Sequence, residues 1–153
     1  MSPVTRIVSG GQTGVDRAAL DVAQELAIPC GGHCPRGRRA EDGSIPDRYP
    51  LLETASSRYP ERTALNVRCS DATLVLSRGA PSGGTALTLR LALAAGKPVL
   101  AVDLDGEGRP EEVVAWLATH RIGALNVAGP RESDNPGIHD QAAAFLRAVL
   151  RSR

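Results

Sequence analysis

The sequence predicts one α/β domain, a five-stranded and mainly parallel sheet with helices on both faces. Three observations carry that prediction. Short β-branched runs alternate with stretches of helical periodicity, the pattern of repeated βαβ units. Ala72–Ser77 (ATLVLS) is an unbroken apolar run, as a central parallel strand covered on both sides requires. The 153 residues suffice for one hydrophobic core and are too few for two comfortable ones.

The elements follow in order. Val4–Ser9 reads as the first strand and stops at Gly10-Gly11. From Val15, apolar residues recur at Ala18, Ala19, Val22, Ala23 and Leu26, one face of an amphipathic helix. A short second strand is expected near Ile28–Gly32. Between Cys34 and Tyr59 no periodicity holds, and Pro35, Pro46 and Pro50 interrupt it, so a long loop is expected over about 35–59, either functional or hiding elements that the pattern does not show. Pro60–Cys69 can form a helix leading into ATLVLS. Ala86–Ala95 is apolar nearly all round, which predicts a well-buried helix, ended by Gly96 with Lys97-Pro98 beyond. Val99–Asp103 and Ala124–Ala128 read as the last two strands. Glu111–His120 and Ile138–Leu150 read as the last two helices, the latter opened by Asp134-Asn135-Pro136.

Composition narrows the function. The formal net charge is +1, so no global field recruits nucleic acid or an anionic membrane surface. No apolar run reaches membrane-spanning length, and no signal-peptide core is expected at the N-terminus. Three cysteines, an odd number without scaffold spacing, suit a reducing compartment. A cytoplasmic protein is expected. Cys30-Gly31-Gly32-His33-Cys34 suggests a metal, but no second Cys/His pair lies at ligand spacing, so structural thiols and no structural metal are expected.

Two glycine-rich stretches sit where a strand passes into a helix. The first is Gly10-Gly11-Gln12-Thr13-Gly14-Val15-Asp16. The second is Gly79-Ala80-Pro81-Ser82-Gly83-Gly84-Thr85. Glycine permits φ > 0 and close backbone approach, and the free amides of a first helical turn face whatever occupies the turn. With the helix dipole, such a turn makes an anion site. Neither stretch is a Walker A sequence or a G-x-G-x-x-G fingerprint. Thr13 and Asp16 have capping-box spacing, so they either cap the helix or serve the site. In a 2-1-3-4-5 strand order the two turns flank the switch point where open α/β sheets bind ligands. A third cluster, Arg36, Arg38 and Arg39 with Glu41 and Asp42, follows the second strand, and guanidinium forks there suit phosphate or carboxylate. Asp16, Glu41 and Asp42 are the weak candidates for acid–base catalysis, Asp16 first.

Taken together, SGGQTGVDRAALD, CPRGRRAEDGSIPDRYPL, ATLVLSRGAPSGGTALTLRLA, GKPVLAVDL and LNVAGPRES-x-x-PGI resemble the family known as "putative molybdenum carrier protein". The resemblance runs over nearly the whole chain. That family belongs to a Rossmann-like superfamily that includes the lysine-decarboxylase-like phosphoribohydrolases. The resemblance implies a Rossmann-like fold and a homo-oligomer, dimer or tetramer. It implies a site for molybdenum cofactor or another nucleotide-like, phosphorylated ligand. By matching motifs, the binding residues would be Gly10, Gly11, Gln12, Thr13 and Gly14, then Arg36, Arg38 and Arg39, then Ser82, Gly83, Gly84 and Thr85. One departure stands out. The hydrolase relatives carry G-G-x-G-T-x-x-E, and here Thr88 stands in place of the glutamate, where a hydroxyl cannot act as a carboxylate base. A binder is therefore expected ahead of a nucleotide-processing hydrolase, and a ligand-free oligomeric scaffold comes third.

Overall fold

Five parallel strands form the central sheet of the computed structural model, which describes residues 4–151. They are β1 (Arg6–Val8), β2 (Cys30–Gly31), β7 (Ala72–Ser77), β8 (Val99–Asp103) and β9 (Ala124–Ala128). The helices are α1 (Val15–Glu25), α2 (Tyr59–Arg68), α3 (Gly83–Ala94), α4 (Pro110–Thr119) and α5 (Ile138–Leu150). Alternation along β7 assigns them to two faces. Ala72, Leu74 and Leu76 join the main core with the apolar stripes of α1, α4 and α5. Thr73, Val75 and Ser77 point the other way, toward α2 and α3, whose buried positions include Thr63, Asn66, Thr85 and Thr88. One face is therefore aliphatic and the other small and polar.

The α/β class and the parallel sheet are as expected, but the strand order differs. In chain order the five strands run 2-1-5-3-4, because β9 inserts between β1 and β7. The order 2-1-3-4-5 would put strands one and three side by side and strand five at the edge. Burial decides against it. β9 is buried beyond its first residue and needs a neighbour on each side, whereas β8 exposes Ala101 and Asp103 and suits an edge. Asp71 Oδ2 accepts the N–H groups of Gly123 and Ala124 at 3.0 and 2.8 Å, tying the start of β9 beside β7.

Two further expectations are corrected. Helix α3 is not well buried: only Thr85, Thr88 and Ala92 are, and Leu93 is 62% exposed, because the helix lies over the edge of the sheet. The segment 35–59 is not structureless either. β3 (His33–Cys34) pairs in parallel with β6 (Leu52–Glu53), and β4 (Arg39–Ala40) pairs antiparallel with β5 (Gly43–Ser44). Cys34, Ala40, Ile45, Tyr49 and Leu51 pack against Leu20 of α1 in a second apolar cluster. No helix among the described residues is long and apolar enough to cross a membrane.

Candidate functional site

Because the central strands are parallel, their C-terminal ends share one edge, and three turns leave it together: 9–14 into α1, 78–82 into α3 and 129–137 into α5. A crevice of about 540 Å³ opens between them. The second turn forms one wall with Ser82, Gly83, Gly84 and Thr85, all four of which had been expected in the site. Gln12 and Asp16 come from the first turn, and Arg131 and Asn135 from the third. Tyr59 and Arg62 of α2 close the side.

The second turn is open. Ser82, the N-cap of α3, has extended backbone and makes no side-chain cap, and no acidic residue stands in the first helical turn. The Thr85 and Ala86 amides fold back on the Ser82 carbonyl at 3.1 and 3.2 Å. The Gly83 and Gly84 amides precede the first intrahelical bond and make no hydrogen bond. A methyl group added at Gly84 would meet nothing within 4 Å. Thr88, in place of the hydrolases' glutamate, donates its hydroxyl to the Gly84 carbonyl at 3.1 Å.

The first turn, by contrast, is filled by the chain itself. Gly14 has φ 82, and a Cβ there would strike the Pro130 carbonyl oxygen, so this glycine serves close packing. A Cβ at Gly11 would strike Leu51, and one at Gly10 would occupy the space of the Arg62 guanidinium. The capping box does not form. Instead Asp16 Oδ2 accepts the Gln12 amide at 3.2 Å and faces Arg62 NH1 at 3.7 Å. Burial pushes the Asp16 carboxyl from its ordinary 3.8 up to about 6, against the pull of Arg62, the Gln12 amide and Arg17. Thr13 donates its hydroxyl to Glu41 and accepts the Glu132 amide at 3.2 Å.

Glu41 and Asp42 brace the loop and do not line the crevice. Glu41 accepts the hydroxyl and amide of Ser133 as well as Thr13. Partial burial raises its carboxyl, but the Ser133 and Thr13 hydrogen bonds outweigh that and leave it below its usual value. Asp42 takes a bidentate fork from Arg17 at 2.6 and 2.8 Å, which holds its carboxyl low.

The loop arginines do not line the crevice either, although Arg39 touches its wall through Gln12 and Tyr59. Arg38 donates to the carbonyls of Ile45, Pro46, Tyr49 and Leu51 at 2.8–3.3 Å and so ties 38–51 into one body. Arg39 lies over the Tyr59 ring at 5.0 Å. Arg36 is exposed, and its amide meets the Ser56 carbonyl at 3.0 Å. The crevice has other arginines: Arg62, Arg78 and Arg131. Arg78 and Arg131 follow ATLVLS and LNVAGP directly, so applying the strand-end rule to arginine as well as glycine would have found them. Arg62 lies on α2 and carries no such local signal. Two crevice-wall side chains keep buried polar atoms without partners, Gln12 Oε1 and Arg62 Nε. Among the described residues no group of three or more His, Cys, Asp or Glu is placed to hold a metal ion. Cys34 is buried, Cys30 half-buried, and burial pushes both thiols up.

Residues 7–150 match the model of the circularly permutated YpsA SLOG family, and the chain belongs to that family. A solved structure from Syntrophus aciditrophicus SB, named a putative molybdenum carrier protein, is 44% identical over 97% of this chain and 96% of its own, with a TM-score of 0.93. No curated protein matches the chain.

Proposed function

We propose that this protein is a binding or carrier protein for a small phosphorylated ligand, molybdenum cofactor or a nucleotide-like molecule. One observation carries the reading: Gly83 and Gly84 hold free amides at the head of α3, with no acidic residue in that helical turn, on the wall of a crevice that also holds Arg62, Arg78 and Arg131. Amides, dipole and guanidiniums all favour an anion there. The name carried by the Syntrophus protein supports the cargo class. The engagement of Thr88 with the Gly84 carbonyl supports binding over hydrolysis. The protein works in the cytoplasm as a dimer or tetramer, and the exposed apolar side of α3 at Leu93 suits a subunit contact.

A second reading, turnover of a nucleotide with Asp16 as proton donor, is favoured by one observation, a crevice-wall carboxyl raised to about 6. Native mass spectrometry of protein purified gently from its host separates the two. A co-purifying pterin or nucleotide phosphate, absent from Gly84→Val, is the expected result. Undiminished ligand in Gly84→Val would remove the α3 turn from the site. A mixture of cleaved products would favour turnover.

A further inference from the structure

Asp16 and Arg62 meet on the crevice wall, and they hold each other loosely. Asp16 is 3% exposed, and its Oδ2 accepts the Gln12 amide at 3.2 Å and faces Arg62 NH1 at 3.7 Å. That second distance is an ion pair beyond hydrogen-bond reach. Among the described residues no hydrogen bond holds the Arg62 guanidinium, which also stands 5.7 Å from the Tyr59 ring. The other two crevice arginines are tethered. Arg78 donates to Gln141 and to the Pro136 carbonyl at 2.7 and 2.9 Å, and Arg131 donates to Asp134 at 3.3 Å. Arg62 is therefore the crevice cation that an entering anion redirects most readily. Gly10 leaves room for the pair, since a Cβ there would meet both the Arg62 guanidinium and Asp16 Oδ2.

Few other charges act on Asp16. Arg17, on the same helix, is committed to Asp42 of the 35–59 segment, and Glu41 of that segment to Thr13. From α5, His139 meets Asp21 and Arg147 meets Glu25, farther along α1. Arg6 of β1 lies beside Gly31, and β9 carries no charged residue. Arg78, Arg131 and Asp134 line the same crevice. Burial pushes the Asp16 carboxyl up to about 6, and Arg62 is the strongest influence opposing that rise. An anion in the crevice brings its own negative charge and draws on Arg62. Both effects favour the protonated acid.

We propose that anion binding in this crevice is coupled to proton uptake by Asp16, so that affinity rises as the pH falls. The proton comes from solvent and stays on Asp16, and no bond of the ligand breaks. The inference rests on the reading above in one respect, that the ligand carries its anion into this crevice. The sign follows from linkage. Well above pH 6 the carboxylate is ionised with and without ligand, and affinity is flat. Affinity climbs as the pH falls through the bound and then the free value of the carboxyl, and it levels off below about 6, where both states hold the proton.

The test is calorimetry with sulfate, which stays a dianion throughout, so that only the protein titrates. Between about pH 8 and about pH 5 the wild-type affinity should rise about tenfold, the equivalent of a one-unit rise of Asp16 on binding. At pH 7, two buffers of different protonation enthalpy should report uptake of about half a proton per sulfate. Asp16→Asn carries the neutral form permanently. It should bind sulfate at pH 8 about as tightly as the wild type does at pH 5, with no proton uptake. Wild-type affinity that varies less than about twofold, or a pH dependence that survives in Asp16→Asn, would overturn the inference while leaving the anion site standing. Absence of proton uptake by the wild type would do the same, and that measurement needs no variant to fold. No binding of sulfate at any pH would overturn both.

Discussion

The two glycine-rich turns look alike in the sequence and do opposite things in the structure. Each links a parallel strand to a helix, and each presents small residues at the same edge of the sheet. The turn before α1 is filled from within. Asp16 takes its Gln12 amide, Glu41 takes its Thr13 hydroxyl, and Gly14 packs against the backbone of the third turn. The turn before α3 has no acid in its first helical turn, and its Gly83 and Gly84 face open space. A glycine turn at a helix N-terminus therefore marks a site for negative charge without saying whose. The discriminating feature is whether the chain itself takes the amides at the helix head: the Val15 amide goes to the Pro130 carbonyl, whereas in the turn before α3 only Gly79, outside the helix, gives its amide to a carboxylate, that of Asp103.

That contrast can be broken at several points. The largest effect belongs to Gly14→Val against Gly84→Val. At Gly14 the positive φ and the Pro130 carbonyl both oppose a side chain, so the loss of stability in urea unfolding should be about 3 kcal/mol or more. At Gly84 nothing is met, and the cost should stay near about 1 kcal/mol while ligand binding disappears. Equal costs would mean that the two turns do not differ as described.

Next comes Asp16→Asn. Burial raises the folded-state carboxyl to about 6 from 3.8, so the folded protein holds the proton more tightly than the unfolded chain. The ionised group thus destabilises the fold above about pH 6, and the penalty fades as pH falls toward 3.8, where both states are protonated. Asp16→Asn should therefore stabilise the protein by up to about 3 kcal/mol at pH 8 and by almost nothing near pH 4. Urea unfolding at both pH values checks it. A destabilised variant at pH 8 would show that the Arg62 pairing outweighs the burial.

Arg38→Ala should cost about 2 kcal/mol, because four loop carbonyls lose their shared donor. Protease susceptibility of 35–59 should rise, while the affinity for inorganic phosphate stays within about twofold, since Arg38 lies outside the crevice. A tenfold loss of phosphate affinity would return Arg38 to the site. The smallest effect is that of Glu41→Gln, about 0.5–1 kcal/mol for a hydrogen-bonded, partly buried carboxylate near the surface, read by thermal melting.

Much of this was legible in the sequence. The alternation of short apolar runs and periodic helices reveals the α/β class, and ATLVLS reveals the buried strand. The glycine turns lie at the edge of the sheet where the crevice opens. What the sequence hides is long-range. Nothing local in ALNVA says that it lies between two earlier strands, so although Arg131 stands at a strand end, the sequence does not place the third turn, with Asn135, as a wall of the crevice. Arg38 looks like a phosphate ligand because its neighbours are arginines, yet its fork is taken by carbonyls up to 13 residues away. Helix α3 reads as buried because apolar residues surround it, and a sequence does not distinguish burial within one chain from apolar surface left at a sheet edge.

The most direct measurement is a titration of nitrogen-15-labelled protein with inorganic phosphate, followed amide by amide. The Gly83 and Gly84 resonances should move, saturating together, while those of Gly10, Gly11 and Gly14 stay in place because that turn already holds the chain's own carboxylates. Movement of the first turn's glycines, with Gly83 and Gly84 unmoved, would contradict the account at its centre.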